Sequence, residues 1–263
     1  MRYVTLFILL FTLVFSVGAQ SFTPIQTSSG TDILLFPAAY TGQKGQYEMH
    51  IEMAPFRTHA AVSLTNRLML GVSYGGENVI GNEEIDWYPR VEFLIKYNLF
   101  EERYAMPAIS IGYSSIGWGK YLDGLERYLI KSRGFYAVAS KEMNLFGGMI
   151  LHGGVNYTTE AADLEEKDGI NLFFGGEKKL NEELSLLAEW DLGLNDNGET
   201  CLGDGKGYFN LGARWTFVPE LIIDFQLINL FGNFNTNPED GVMIGDEYNK
   251  IARNITITYR AFF

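Results

Sequence analysis

Apolar residues recur at every second position through twelve separate segments of this chain, each about ten residues long. Tyr47, Met49, Ile51 and Met53 make the first run. Leu68, Leu70, Val72 and Tyr74 make a later one, and Phe209, Leu211, Ala213, Trp215 and Phe217 another. The last segment, Arg253 to Phe263, carries Ile255, Ile257 and Tyr259 between Asn254, Thr256, Thr258 and Arg260. A period of two is that of a strand with one apolar face, because successive side chains point to opposite sides. The phase is least clear in Phe135, Ala137 and Ala139, where Tyr136 and Val138 compete.

The connections supply a second rhythm. Those around Thr65 to Arg67, Phe100 to Arg103, Lys141 to Asn144, Lys179 to Glu182 and Val218-Pro219 are short. Those over Gly75 to Asp86, Ser114 to Lys131, Thr158 to Asp168, Asn195 to Lys206 and Phe231 to Lys250 are long and polar. Only the first connection, near Pro55 to Thr58, is short where a long one is expected. Two folds alternate in this way. A soluble β-sandwich buries its apolar faces between two sheets. A membrane barrel turns them to lipid and closes its sheet, because hydrocarbon offers a free N–H or C=O no partner. The loop rhythm, the terminal Phe263 and the aromatics at segment ends favour the barrel. Tyr97, Phe100 and Tyr104 flank one short turn, while Tyr74, Trp87, Tyr113 and Tyr157 stand at the opposite ends, where interface anchors belong. The expected fold is therefore all-β, an antiparallel transmembrane β-barrel of about twelve strands. Its last strand, with Tyr259 and Phe263, resembles the C-terminal signal of outer-membrane barrels, which implies the barrel-assembly machinery as a partner.

The N-terminus reads as a secretory signal peptide over residues 1–19. Arg2 is basic, Val4 to Val17 are apolar, and Val17-Gly18-Ala19 offer small residues for cleavage. Residues 20–43 lack alternation and contain Pro24 and Pro37; they are expected as a periplasmic segment or a peptide tucked into the lumen. Residues 44–263 are expected to form the barrel, in the bacterial outer membrane with both termini periplasmic and the long loops outside. Outer-membrane lipid and lipopolysaccharide are then its surroundings. The net charge of −12 excludes a nucleic-acid partner, and the one cysteine, Cys201, excludes an internal disulfide.

Chemistry, if any, belongs on the inward face. The expected lumen-lining residues are Glu48, His50, Glu52, Arg90, Glu92, Lys96, Glu189, Asp191, Arg214, Asp224 and Arg260. Turn geometry at Val218-Pro219 should set Arg214 opposite Asp224, and closure should bring Arg260 to Glu48. Such residues either select small solutes or fill a narrow interior, since twelve strands lie between a packed and an open barrel. The Glu48, His50, Glu52 trio fans out too far along a strand to hold one metal ion together, so no metal or cofactor is expected. His152 with Asn156 suggests part of a hydrolase triad. No serine is evidently placed as nucleophile, no G-x-S-x-G elbow occurs, and a non-enzymatic protein is expected. The long loops are acidic, at Glu83-Glu84 with Asp86, Asp163 to Asp168, Glu239-Asp240 and Asp246-Glu247. They read as solvated loops, with bridging of divalent cations on lipopolysaccharide as the alternative. Asn195 to Glu199 reads as a turn, because it lacks the ligand ladder of a calcium loop.

The runs LGVSYGGENVIGNEEIDWYPRVEF, PAISIGYSSIGWG and FYAVASKEMNLFGGMILHGGVNYT, with FPAAYTGQKGQY upstream, resemble the YjbH-like family of outer-membrane proteins. The resemblance implies a barrel-only member of a family linked to exopolysaccharide production or export, and carries no catalytic residue. The expected function is a narrow, porin-like pore for small solutes, or an accessory to polysaccharide export across the Gram-negative envelope. A structural or adhesive barrel with a filled lumen, working through its acidic loops, and an outer-membrane hydrolase are the alternatives.

Overall fold

The computed structural model describes residues 30–82, 84–144, 148–160, 169–197, 201–234 and 251–263. The signal-peptide reading, residues 20–29, Glu83, Asp163 to Asp168, Gly198-Glu199 and the acidic residues between 239 and 247 lie outside the described residues.

The strands in chain order are β1 Gln46–Met53, β2 Phe56–Ser63, β3 Leu68–Glu77, β4 Asp86–Trp87, β5 Glu92–Phe100, β6 Ala108–Ser114, β7 Trp118–Leu122, β8 Arg127–Ile130, β9 Gly134–Met143, β10 Met149–Tyr157, β11 Asn171–Lys179, β12 Leu184–Asp191, β13 Tyr208–Val218, β14 Leu221–Ile228 and β15 Ala252–Phe262. The two-residue β4 hangs on the end of β3, and β7 and β8 pair only with each other. The other twelve form one antiparallel ring. Its seam is the pairing of β1 with β15, and the ring closes because β2 also pairs with β3. No edge is left among these strands, as a sheet in hydrocarbon requires.

Alternation fixes which way each side chain points. In β5, Phe93, Ile95 and Tyr97 face outward and are exposed, while Glu92, Leu94, Lys96 and Asn98 are buried inside. In β15, Ile255 and Tyr259 face out while Asn254, Thr256 and Thr258 face in. The disputed β9 settles with Phe135 outward and Tyr136 and Val138 inward. This inside-out distribution is the reverse of a sandwich core. It identifies a transmembrane barrel, with an apolar belt for lipid and a polar lumen. Tyr74 stacks on Trp87 at 5.8 Å and Trp215 meets Phe217 edge-on at 5.2 Å, so aromatics gather at both ends of the belt.

One expectation is corrected. The stretch from Ser114 to Lys131, expected as a long polar connection, is structured and partly buried. It folds into the β7–β8 hairpin, closed by a one-turn 3-10 helix at Asp123–Leu125. Trp118, Tyr128, Leu129 and Ile130 of this hairpin are buried. Trp118, Leu129 and Ile130 belong with the apolar core of the lumen, which also holds Phe36, Phe173, Leu187, Tyr208 and Ile228. The physical reason is that the stretch carries enough large apolar side chains to be buried rather than wetted.

Candidate functional site: a lumen occupied from both ends

From the short-turn end, residues 30–40 run into the lumen as a small hairpin. The Ala38 N–H donates to the Thr31 carbonyl at 3.0 Å and the Ile33 N–H to the Phe36 carbonyl at 2.8 Å. Ile33, Leu34, Leu35, Phe36, Ala38 and Ala39 are all buried. An irregular peptide in a lumen needs partners for its backbone, and the inward-facing wall supplies them. The Glu189 carboxylate on β12 accepts the N–H groups of Leu34 at 3.2 Å, Leu35 at 3.1 Å and Phe36 at 2.8 Å, and also Asn210 Nδ2 at 3.0 Å. Lys96 Nζ, fully buried, donates to the Thr31 carbonyl at 2.5 Å and lies 3.7 Å from Asp32. Asn98 Nδ2 and Ser110 Oγ both donate to the Ala39 carbonyl, at 2.8 and 2.6 Å. Arg214 donates to the carbonyl of Ile33 at 2.9 Å.

Register sets the ion pairs of the wall. Arg214 stands opposite Asp224 across the β13–β14 turn and binds it through two nitrogens, at 2.9 and 2.8 Å, with Glu177 at 3.5 Å behind. Arg260 stands opposite Glu48 across the seam at 3.1 Å, and Glu48 also accepts from Thr31 at 3.0 Å. His50 bonds Thr258 at 3.0 Å and its ring stacks on that of His59 at 5.0 Å. Glu52 reaches Arg57 only at 3.8 Å. Asp191 is inward but bound locally, by Asn171 at 2.7 Å and the Gly193 N–H at 2.9 Å.

From the long-loop end comes the β7–β8 hairpin. Arg127 binds Asp196 through two nitrogens, at 2.6 and 2.7 Å, and Tyr208 adds its hydroxyl to Asp196 at 2.9 Å. Asp196 belongs to the stretch read as a turn. Tyr128 donates to Glu92 at 3.0 Å. Arg90 precedes β5 and sits at the rim rather than along the wall. It joins Glu92 at 2.8 Å to Glu160 at 3.2 Å. Glu160, beyond the end of β10, also accepts the Ser132 N–H at 2.8 Å. Burial nevertheless pushes its carboxyl up to about 7, against the pull of Ser132, Arg127 and Arg90. Burial likewise lowers Lys131, which donates to the Asn195 carbonyl at 3.0 Å.

Between plug, hairpin and wall a polar cavity of about 80 Å³ remains, with His50, Arg57, His59, Arg133, Asp224 and Thr256 in its lining. It has room for a few waters. No group of His, Cys, Asp and Glu fit to hold a metal ion occurs among the described residues. Sequence reasoning missed one pair: Ser140 Oγ lies 2.7 Å from His152 Nδ1. A serine does stand beside this histidine, but both are buried, and Ser140 Oγ accepts the Ala39 N–H at 2.8 Å. Asn156 is turned elsewhere, to the Arg133 carbonyl at 2.9 Å and to Asn171 at 3.0 Å.

No family model matches the chain, and no curated protein does. Among solved structures, a KdgM porin in complex with disordered oligogalacturonate is similar over 83% of this chain and 98% of its own, at 7% identity and a TM-score of 0.43. A NanC porin matches over the same shares, at 7% identity and a TM-score of 0.41. Neither likeness bears on what this lumen admits.

Proposed function

We propose that this chain is a non-enzymatic outer-membrane barrel whose narrow water path is held shut by residues 30–40, and which conducts small solutes when that segment withdraws. The observation that carries this reading is the hold of Glu189 on three consecutive backbone N–H groups at the plug tip. The plug backbone is held by hydrogen bonds from polar wall residues, which can be exchanged for water as the segment leaves, while its apolar side chains pack in the lumen core. The resemblance to YjbH-like proteins extends the proposal to a role beside envelope polysaccharide export. The lipid-facing Tyr259 and the terminal Phe263 would serve recognition by the barrel-assembly machinery, and the acidic long loops would face lipopolysaccharide.

The buried hairpin supports a second reading, a structural or adhesive barrel with a permanently filled lumen. Planar-bilayer recording separates the two. Wild-type barrel should be closed most of the time, and removal of residues 30–40 should give frequent, discrete openings. A deletion variant that folds, as shown by heat-modifiable gel mobility, yet stays silent would leave the structural barrel standing.

A further inference from the structure

Two buried guanidinium groups meet in this lumen, and neither is hydrogen-bonded to a carboxylate of the described residues. Arg57, on β2, donates through Nη1 to the Gly117 carbonyl at 2.5 Å. Arg133, just before β9, donates through Nη1 to the carbonyl of the preceding residue, Ile116. Their anchors are adjacent peptide oxygens, so the two charges are held as neighbours. Arg57 lies over the rings of both Tyr88 and Tyr128, at 5.1 and 5.2 Å, and Arg133 lies over the ring of Phe36 at 5.3 Å. Ring faces attract a cation but leave N–H groups unbonded. Nε and Nη2 of Arg57 have no acceptor among the described residues.

Two of the acids around them are bound elsewhere, Glu189 to the plug tip and Asp32 beside Lys96 at 3.7 Å. Glu52 pairs with Arg57 at 3.8 Å, beyond hydrogen-bond distance. No carboxylate of the described residues comes within ion-pair distance of Arg133. Two further donors face the same cavity without partners, Trp118 Nε1 and the Tyr136 hydroxyl. Like charges in a poorly solvated site repel strongly, and each unbonded donor adds its own desolvation cost. An anion with several acceptor oxygens would relieve both at once.

We propose that the cavity between plug and hairpin is a binding site for one small oxyanion, a phosphate or a carboxylate, held by Arg57 and Arg133 with Trp118 and Tyr136 as neutral donors. The bound anion would tie the β7–β8 hairpin to the barrel wall above the plug tip. The site is complete in the closed barrel and does not depend on whether the lumen conducts.

Calorimetric titration of the detergent-solubilised barrel tests this, with sodium phosphate and sodium acetate as separate probes in a buffer free of other oxyanions. Saturable one-to-one binding of at least one probe is expected. Binding of phosphate alone assigns a phosphate, and binding of acetate assigns a carboxylate. Arg133→Gln should weaken the bound probe roughly tenfold or more, as loss of a charged hydrogen bond does, while Arg133→Lys should recover part of the loss. If Arg133→Gln fails to close into a heat-modifiable barrel, Trp118→Phe takes its place, with a loss of roughly fivefold for one neutral donor. Absence of saturable binding by either probe overturns the assignment. So does unchanged affinity in a folded Arg133→Gln barrel. A silent bilayer would leave the titration untouched, so the site and the pore fail separately.

Discussion

Replacing Glu189 by alanine removes the one side chain that accepts from Leu34, Leu35 and Phe36 together. An unsatisfied buried donor costs about 1–3 kcal/mol, so three stranded N–H groups place the loss on the order of 3–9 kcal/mol. Water entering the space left by the carboxylate recovers part of it. Even the lower end, about 3 kcal/mol, raises the population of withdrawn plug roughly a hundredfold. Hydrogen exchange read by mass spectrometry resolves this locally. Amides in 30–40 should exchange at least about a hundredfold faster in Glu189→Ala, while peptides from β13 and β15 keep their wild-type protection. Glu189→Gln keeps acceptor oxygen but loses the charge, and should fall between. Unchanged protection of 30–40 in a folded Glu189→Ala barrel would refute the claim that this carboxylate holds the plug.

Other perturbations test the remaining layers. Ile95→Arg puts a charge on the lipid face in mid-strand and should destabilise the barrel by about 2–4 kcal/mol in urea titrations in lipid vesicles, whereas Ile80→Arg, in an exposed loop, should change little. Arg214→Met leaves Asp224 and Glu177 buried without their cation and should cost about 3–5 kcal/mol by the same titration; a near-neutral result would mean that water reaches both acids. Gly212→Leu would drive a side chain into Leu34, since even a Cβ there would lie 2.6 Å from Leu34 Cδ2; accelerated exchange of 30–40 is expected with the strands intact. Glu160 predicts a pH slope. Its folded carboxyl titrates near 7 against an ordinary 4.5, so between those values the folded state binds more protons than the unfolded one. Stability of the rim contact should therefore fall as pH rises from about 4.5 to 7 and level off above, by about 3 kcal/mol at most. Glu160→Gln should flatten the slope in thermal unfolding, and a slope that survives would assign it to another group.

Local pattern made the wall readable. Period-two alternation assigns Phe93 and Ile95 outward and Glu92 and Lys96 inward, and turn length then sets Arg214 against Asp224. The same logic carries Arg260 to Glu48 once the ring closes. What escaped is non-local. Nothing in the neighbourhood of Glu189 announces that its partners are the amides of Leu34 to Phe36, more than 150 residues away. Backbone acceptors and donors have no sequence signature, so Lys96 reads as a pore-lining polar group rather than as a ligand of Thr31. The β7–β8 hairpin escaped for a different reason. Its strands are only five and four residues long, with a register shift between Trp118 and Tyr121. That breaks the alternation by which the other strands are recognised. The retrievable signal was compositional: Trp118, Tyr121, Tyr128, Leu129 and Ile130 are too apolar a set for a wetted loop.

Barrel width explains why these two insertions belong to the fold. Eight strands leave an interior that wall side chains fill, and sixteen leave a channel. Twelve leave a gap of intermediate size, which water or additional chain must occupy. The wall here is shaped for chain. A Cβ at Gly175 would come within 2.8 Å of Ile33 Cδ1, and one at Gly212 would meet Leu34. Phe36 packs against Phe173 with ring centroids 4.5 Å apart, so the plug tip meets apolar wall where it is itself apolar. Polar groups are placed opposite the plug backbone, at Glu189, Lys96, Asn98 and Ser110. A segment caught in the lumen by chance would not find glycine where it is bulky and hydrogen-bonding side chains where its backbone is bare. The recess and the peptide are therefore parts of one fold, and the polar cavity beside them is the space their packing leaves over.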